Sequence, residues 1–479
     1  MSQVSICRCI GVTLTPWHRS RKIRRMKDLT ESSIVKNILQ MALPIAAGMF
    51  FQTLYFLVDL YFVAGLGSTA LAGVGAAGNI MFAVLALTQV IGVGTVTLIS
   101  HAAGRKDRAD ATLIFNQSLV LSVSCAVLAS LLGYALAELY MRAMGSDAGT
   151  VAAGIAYLHW FLPSLALQFG LVAMGSALRG TGIVQPTIVV QIVTVIANIV
   201  LAPILIAGWI TGYKMGVAGA GLASTLAVGL GVIMLALYFH RLEKYVGFEP
   251  GLWLPNFSVW GRLLRVGLPS GAEFLLMFLF MAVLYGIIRR FGSEAQAGFG
   301  IGTRVAQSML LPAMAVGFAA APIVGQNYAA GKFERVRETY AKALFIGCCI
   351  MVFLTLCCQW GGAAIVRGFT SDPATAAVGV QYLQVTSWNF LASGIVFTSS
   401  AVFQGLGNTM PSVWSTGSRT LTFIVPALWL AAQPHFELVQ LWYVSVLSVA
   451  LQACLSFYLV RRQFRLTLVT RLQSVADLA

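Results

Sequence analysis

The chain matches itself at a fixed separation of 225 residues, through segments apolar enough to lie in a lipid bilayer. Leu43-Pro44 returns as Leu268-Pro269, and Gly67-Ser68-x-Ala70-x-Ala72-Gly73-x-Gly75 returns as Gly292-Ser293-x-Ala295-x-Ala297-Gly298-x-Gly300. Further on, Ser146-Asp147, Thr150, Gly154 and Tyr157-Leu158 come back as Ser371-Asp372, Thr375, Gly379 and Tyr382-Leu383. Gly180-x-Gly182-x-x-x-Pro186 comes back as Gly405-x-Gly407-x-x-x-Pro411. A separation that does not drift means one bundle duplicated and fused. In membranes, halves related in this way rock about a shared site near the midplane.

Composition sets the medium. Of the 479 residues, 58% are hydrophobic and 10% charged, whereas roughly a quarter of a soluble domain is charged. The protein is therefore integral to a membrane, and stretches of roughly 20 apolar residues fit twelve times, six in each repeat. An even number per repeat gives both copies the same orientation, with the pseudo-two-fold axis along the membrane normal. The expected fold is all-α, with twelve transmembrane helices in two pseudo-symmetric six-helix lobes. Its parts are a basic cytoplasmic tail (1–35), an N-terminal lobe (36–240), a cytoplasmic inter-lobe loop (241–258), a C-terminal lobe (259–465) and a second cytoplasmic tail (466–479).

The net charge of +15 follows topology and does not point to a nucleic-acid partner. Alternate loops and the two ends hold 24 of the Lys and Arg residues, whereas the opposite side holds five: Arg142, Lys214, Arg289, Arg290 and Arg367. The positive-inside rule then places both termini in the cytoplasm, and the expected location is a bacterial-type inner membrane. The first 30 or so residues lack the apolar core of a cleavable signal. The eight cysteines include no Cys-x-x-Cys pair and read as small packing residues.

Two glycine motifs fail their context tests. Gly73-x-Gly75-x-x-Gly78 spells a dinucleotide fingerprint but has no strand before it. Gly325 to Gly331-Lys332 resembles a phosphate loop, with the gap one residue too long and Phe333 where a magnesium-binding hydroxyl belongs. Both read better as small residues that let helices approach closely. No histidines have metal spacing, and neither a catalytic triad nor paired carboxylates are present. The sequence therefore supports no enzyme, no cofactor and no metal.

Intramembrane polar groups are where chemistry is expected, because an acid at mid-helix costs about 2.5–3.5 kcal/mol on insertion scales. Gln52, Tyr55 and Asp59 recur at i, i+3 and i+7 and form one polar stripe on the first helix. Desolvation penalises the charged form of a carboxylate, the property a proton carrier needs; the competing reading of Asp59 is a structural hydrogen bond. Asn198 and Ser224-Thr225 are neutral polar groups that either complete a site around Asp59 or simply join helices. Glu273 stands one turn into the seventh helix, where the first repeat has Gly48, while the partner of Asp59 is Leu284. It either serves transport or snorkels to water. Met277 and Met281, among the aromatics between Phe274 and Tyr285, line an apolar pocket or face lipid. Arg304 and Arg419 cannot shuttle protons and read as structural cations.

Several of these segments resemble the multidrug and toxic compound extrusion (MATE) family. They are Leu43-Pro44 … Leu54-Tyr55-x-x-Val58-Asp59 … Gly65-Leu66-Gly67, Ile99-Ser100-His101-Ala102-Ala103-Gly104, Leu178-Arg179-Gly180-x-Gly182-x-x-x-Pro186, Gly216-x-Ala218-Gly219-Ala220 and Val324-Gly325-Gln326-Asn327. The resemblance covers about residues 35–465. It implies a V-shaped pair of lobes that exports cationic or amphipathic small molecules in exchange for protons or sodium. Asp59 matches the family's first-helix coupling carboxylate, and Asn198 and Thr225 match its neighbours. Two departures matter: Ala202 stands where many relatives have Asp, and Met277 where many have Glu. With one anionic ligand fewer than a hard cation prefers, the proton is the expected ion.

The sequence-based expectation is thus a monomeric proton-coupled antiporter. Its ion-coupling residues are Asp59, Asn198 and Thr225, and its substrate-binding residues are Gln52, Tyr55, Glu273 and Met277. A sodium-coupled exporter is one rival. The other, a lipid-linked saccharide flippase of related architecture, needs a cationic cavity for pyrophosphate, whereas the cavity candidates here include two acids.

Overall fold

The computed structural model describes the protein from residue 27 to residue 476 apart from 145, 146, 210, 211 and 244; the side chains of 56, 57, 59, 60 and 467–476 lie outside the described residues. Most of the 1–35 tail, with Cys7 and Cys9, is outside them too. The described residues form fourteen α-helices and no strand. The first lobe holds α1 (Ile34–Ala64), α2 (Ser68–Gly78), α3 (Ile80–Gly104), α4 (Arg108–Met144), α5 (Ala148–Gly180), α6 (Gln185–Ala207) and α7 (Val217–Arg241). The second holds α8 (Phe257–Ile288), α9 (Ser293–Ala329), α10 (Phe333–Arg367), α11 (Pro373–Thr386), α12 (Asn389–Leu406), α13 (Met410–Ala431) and α14 (Leu438–Ala476).

These fourteen helices make twelve crossings. Eleven spans are long and apolar enough on length and composition alone. The twelfth, α13, has 22 residues, with Ser412, Ser415, Thr416, Ser418 and Arg419 diluting its apolar run. Adding 225 to the bounds of α4 or α6 gives those of α10 or α13 to within two residues. The same shift turns the α2–α3 pair, interrupted at Asn79, into the unbroken α9, and the unbroken α5 into the pair α11–α12, interrupted at Ser387-Trp388. Each repeat is thus broken in a different crossing.

Local chemistry explains why the repeat is visible in sequence. Asp147 caps α5 by accepting from the Thr150 N–H at 2.9 Å, and Asp372 caps α11 by accepting from Thr375 at 2.8 Å; an N-terminal carboxylate satisfies donors that the helix leaves free. Gly182 and Gly407 have φ of 81° and 77°, a conformation that a side chain disfavours, and both turn the chain into the next helix.

The lobes cross-pack: α1 lies along α9, and α8 along α3. A Cβ on Gly267 would sit 2.0 Å from the Val90 carbonyl oxygen, and one on Gly104 2.2 Å from that of Gln326, so backbone meets backbone across the seam. Gly325 likewise abuts Ser100, and Gly73 abuts Thr150 within the first lobe. Gly75 and Gly78 have no such neighbour, and Gly331 forms a turn with φ 72°, so close approach explains only part of those glycine motifs. The cysteines also depart from the packing reading: Cys358 is buried, but Cys349 and Cys454 are exposed.

Hydrogen bonds join the lobes at the end bearing the basic loops. His101 Nε2 lies 2.7 Å from the Gly405 carbonyl, Gln326 Nε2 donates to the Gly180 carbonyl at 3.0 Å, and Thr97 donates to that of Gln404 at 2.9 Å. Arg262 on α8 pairs with Asp110 on α4. The segment expected to be a tail takes part as well. Leu29, fully buried, donates its N–H to Gln326 and accepts from Asn327, while Lys332 and Arg335 bond Thr30 and Ser32. Residues 27–33 are therefore a packed strap whose buried backbone needs these partners. At the other end α14 runs on to Ala476, where a tail from 466 was expected.

The inter-lobe connection is fastened to the first lobe. Asn116 on α4 accepts from the Glu249 N–H and Trp253 Nε1 and donates to the Gly247 carbonyl. Gln117 donates to the carbonyls of Leu252 and Leu254 and accepts from the Asn256 N–H. Asn256 then caps α8.

Candidate functional site

The interior of the first lobe is polar where α1 meets α6. Gln191 Nε2 donates to Gln52 Oε1 at 2.5 Å. Gly48 leaves room for Gln191, whose Oε1 would lie 2.9 Å from an added Cβ. Three crossings, the α2–α3 pair, α4 and α5, lie between the two helices, so α1 and α6 run in the same direction. Seven residues beyond Gln52 comes Asp59, and seven beyond Gln191 comes Asn198, so the backbone register puts the two positions at one level, two turns on. The Asp59 side chain lies outside the described residues.

Asn198 is fully buried, and neither its Nδ2 nor its Oδ1 has a hydrogen-bond partner among the described residues. The Ser224 hydroxyl on α7 is buried and unpartnered in the same way. Each such atom costs about 1–3 kcal/mol, and native structures leave few without a functional or solvent-related reason. Thr225 is placed differently, donating to the Trp160 carbonyl on α5 at 2.5 Å. Tyr55 is half-buried on α1, and Ala202 is buried on α6.

The same positions in the second lobe carry opposite chemistry. Gly48 and Gln191 become Glu273 and Thr416, and Thr416 Oγ1 donates to Glu273 Oε1 at 3.3 Å. Gln452 on α14 donates to Thr416 at 3.4 Å. This chain of bonds across α8, α13 and α14 holds Glu273 in the bundle, against the snorkelling reading. The stripe Gln52, Tyr55, Asp59 becomes Met277, Phe280, Leu284, and Asn198 becomes Phe423, whose ring centroid is 4.5 Å from that of Phe280. Arg419, the counterpart of Thr194, lies with its guanidinium carbon 4.5 Å from the Phe280 centroid.

Arg419 has no carboxylate partner among the described ion pairs, and its Nε is buried without an acceptor. A cation–π contact is worth about 0.5–2 kcal/mol, less than the ~2.5–3.5 kcal/mol that an intramembrane Arg costs on insertion scales. Phe280 therefore does not compensate this charge alone. Met277, which is 45% exposed, lines a half-enclosed pocket with Phe280, Met281, Thr416, Arg419 and Thr420. Of the predicted residues, the structure brings Gln52 and Asn198 to one α1–α6 face, and Glu273 and Met277 to the α8–α13 face of the other lobe. Gln191, Thr416 and Gln452 were missed, although 191 and 416 are repeat partners that face 48 and 273.

No group of three or more His, Cys, Asp or Glu residues able to hold a metal occurs among the described residues. What the fold presents is two repeated bundles joined at the end bearing the basic loops, with neutral polar groups described inside the first and polar and charged groups inside the second, which is a transporter's architecture. The comparisons with known proteins agree. The family model described as MatE matches residues 44–204 and 269–429, two stretches offset by the repeat distance. The probable multidrug resistance protein YpnP of Bacillus subtilis (strain 168) is 25% identical over 398 residues, covering 81% of this chain and 87% of its own. The multidrug export protein MepA of Staphylococcus aureus (strain MRSA252) is 24% identical, covering 79% and 83%. A solved MOP-superfamily transporter from Pyrococcus furiosus, whose binding pocket is described as having reverse polarity that suggests a different function, matches with a TM-score of 0.86. It is 25% identical over 93% of this chain and 99% of its own.

The chain belongs to the MATE family of multidrug and toxic compound extrusion transporters, as the motifs implied. It is a multi-pass membrane transporter, and the family is not one of enzymes.

Proposed function

We propose that this transporter is a secondary antiporter that exports cationic or amphipathic toxicants in exchange for protons, from a cytoplasmic membrane in which both termini face the cytoplasm. The two unmet amide atoms of Asn198, buried on α6 at the level of position 59, carry this reading. They offer a donor and an acceptor to a carboxylate that gains and loses a proton. Protonation of Asp59 neutralises the lobe interior, and the membrane potential adds roughly 2.3 kcal/mol per charge per 100 mV to drive the proton inward. With Ala202 at the position that would add a second acid, the oxygen ligands a sodium ion wants are too few. The basic loops lie at the end where the lobes meet, so in the proposed orientation the seam between the lobes faces the cytoplasm. Gln52, Tyr55, Glu273 and Met277 face the substrate.

Inverted vesicles with proton and sodium gradients imposed separately test the coupling. A proton gradient alone should drive uptake of an organic cation, and an uncoupler should stop it. Uptake that survives the uncoupler and needs sodium would overturn the proposal.

A further inference from the structure

The second lobe carries a charge that the proposed antiport does not use. Arg419 sits on a membrane-spanning helix with its guanidinium against Phe280, its Nε lacking an acceptor and no carboxylate paired to it among the described residues. Its pocket measures about 40 Å³, and a water-sized group needs roughly 10–15 Å³ of such space. That room takes a small head group, and the exposed flank of Met277 opens it to the rest of a ligand. A planar fork of donors matches a carboxylate's two oxygens. Next to the guanidinium, Met277, Phe280 and Met281 offer an apolar shelf, which methionine adapts to ligands of varied shape. Neighbouring charges do not preclude this. Glu273 lies one turn before Met277 on α8 and is engaged by Thr416, and Arg304 is exposed on α9.

We propose that this pocket binds the carboxylate of an amphipathic organic acid on Arg419, with the ligand's apolar body lying on Met277, Phe280 and Met281. The transporter thereby has two interiors of opposite preference: the first lobe for positive charge or protons, and the second for a carboxylate. The inference rests on the export reading for its transport meaning only, because binding is measurable with no gradient present.

The test uses the full chain in phosphatidylcholine nanodiscs with radiolabelled 2-naphthoate and its neutral isostere 2-naphthamide. The wild type should bind the carboxylate at least tenfold more tightly. Arg419→Gln should erase that preference and leave naphthamide binding within twofold, whereas Arg419→Lys should keep part of it. Glu273→Gln should preserve or strengthen the preference, since it removes a negative charge one turn away. Arg290→Gln removes a cation that bonds the Ala431 carbonyl at the far end of α13 and should change nothing. Equal affinity for the two ligands in the wild type, or a preference that survives Arg419→Gln, overturns the proposal. Should Arg419→Gln fail to assemble, Met281→Cys in a chain with its native cysteines replaced gives a second readout. Naphthoate should slow its maleimide labelling at concentrations where naphthamide does not, and equal protection overturns the proposal. A failure in either assay leaves proton-driven antiport standing, and a failed antiport assay leaves the binding result intact.

Discussion

His101 and Gln326 stand 225 residues apart, at the same place in the two repeats, and each bonds the other lobe's equivalent carbonyl: His101 that of Gly405 at 2.7 Å, Gln326 that of Gly180 at 3.0 Å. A carbonyl only accepts, so Nε2 of His101 carries the hydrogen. The pair is a two-fold clasp whose halves differ only in side chain. His101→Gln should therefore keep the clasp and near-normal export. His101→Ala leaves the Gly405 carbonyl unmet at a cost of about 1–3 kcal/mol, and should raise the labelling rate of a cysteine placed at Thr97 on the order of tenfold. Equal labelling in the two variants would remove the clasp from the account.

Gly267→Ala tests the seam itself. Its Cβ would meet the Val90 carbonyl oxygen at 2.0 Å, whereas Gly261 on the same helix has nothing within 4 Å. Replacing an unhindered helical glycine with alanine gains roughly 0.8–1 kcal/mol of helix propensity. Gly261→Ala should thus melt at or above the wild-type temperature, and Gly267→Ala several degrees below it with export impaired. Melting curves that coincide would mean that α3 and α8 are not packed this closely.

Asn198→Leu should make the protein more stable and less active. Removing two buried, unmet amide atoms relieves on the order of 1–3 kcal/mol, while the group proposed to face the coupling ion is lost. A lower melting temperature would show that the amide has a structural partner, and unimpaired export would take Asn198 out of the coupling site.

Asp59→Asn should abolish energised export while the protein still inserts, because an amide cannot cycle a proton. Ala202→Asp should introduce or strengthen a sodium response by supplying a second carboxylate on α6. Toxicant resistance in Asp59→Asn cells equal to wild type would exclude the coupling role.

Topology can be read with reporters. One active only outside the cytoplasm should stay silent at residue 250 and give signal near Gly145 in a truncated chain. The reverse pattern would invert the proposed orientation and move the seam to the outer face.

The repeat made most of the fold legible, because caps such as Asp147 and Asp372 and turns such as Gly182 and Gly407 are local and recur in place. What stayed hidden depends on packing. Pro163 lies inside the unbroken α5, while its partner Trp388 lies at a break, the opposite of what proline suggests alone. Between Ser224 and Thr225 the choice rests on a turn of about 100° around α7, and only the neighbouring helices settle it. Leu29 follows a basic stretch that reads as solvated, yet it is buried between lobes by partners some 300 residues away. Aligning the repeats position by position would have exposed the exchange of Gln52 for Met277 and of Asn198 for Phe423, since both pairs obey the same offset.

Asn116 and Gln117 grip the connecting loop from Gly247 to Asn256, and Asn256 itself caps α8, so that stretch is held to the first lobe right up to the start of α8. In the proposed antiport, each lobe is then a lever whose fulcrum lies near the start of α8, beside the clasp. Small changes of angle at that fulcrum become large displacements at the far rim, about 50 Å away along a helix of 30 or more residues at roughly 1.5 Å per residue. A longer, unfastened tether would let the lobes slide apart and lose this leverage.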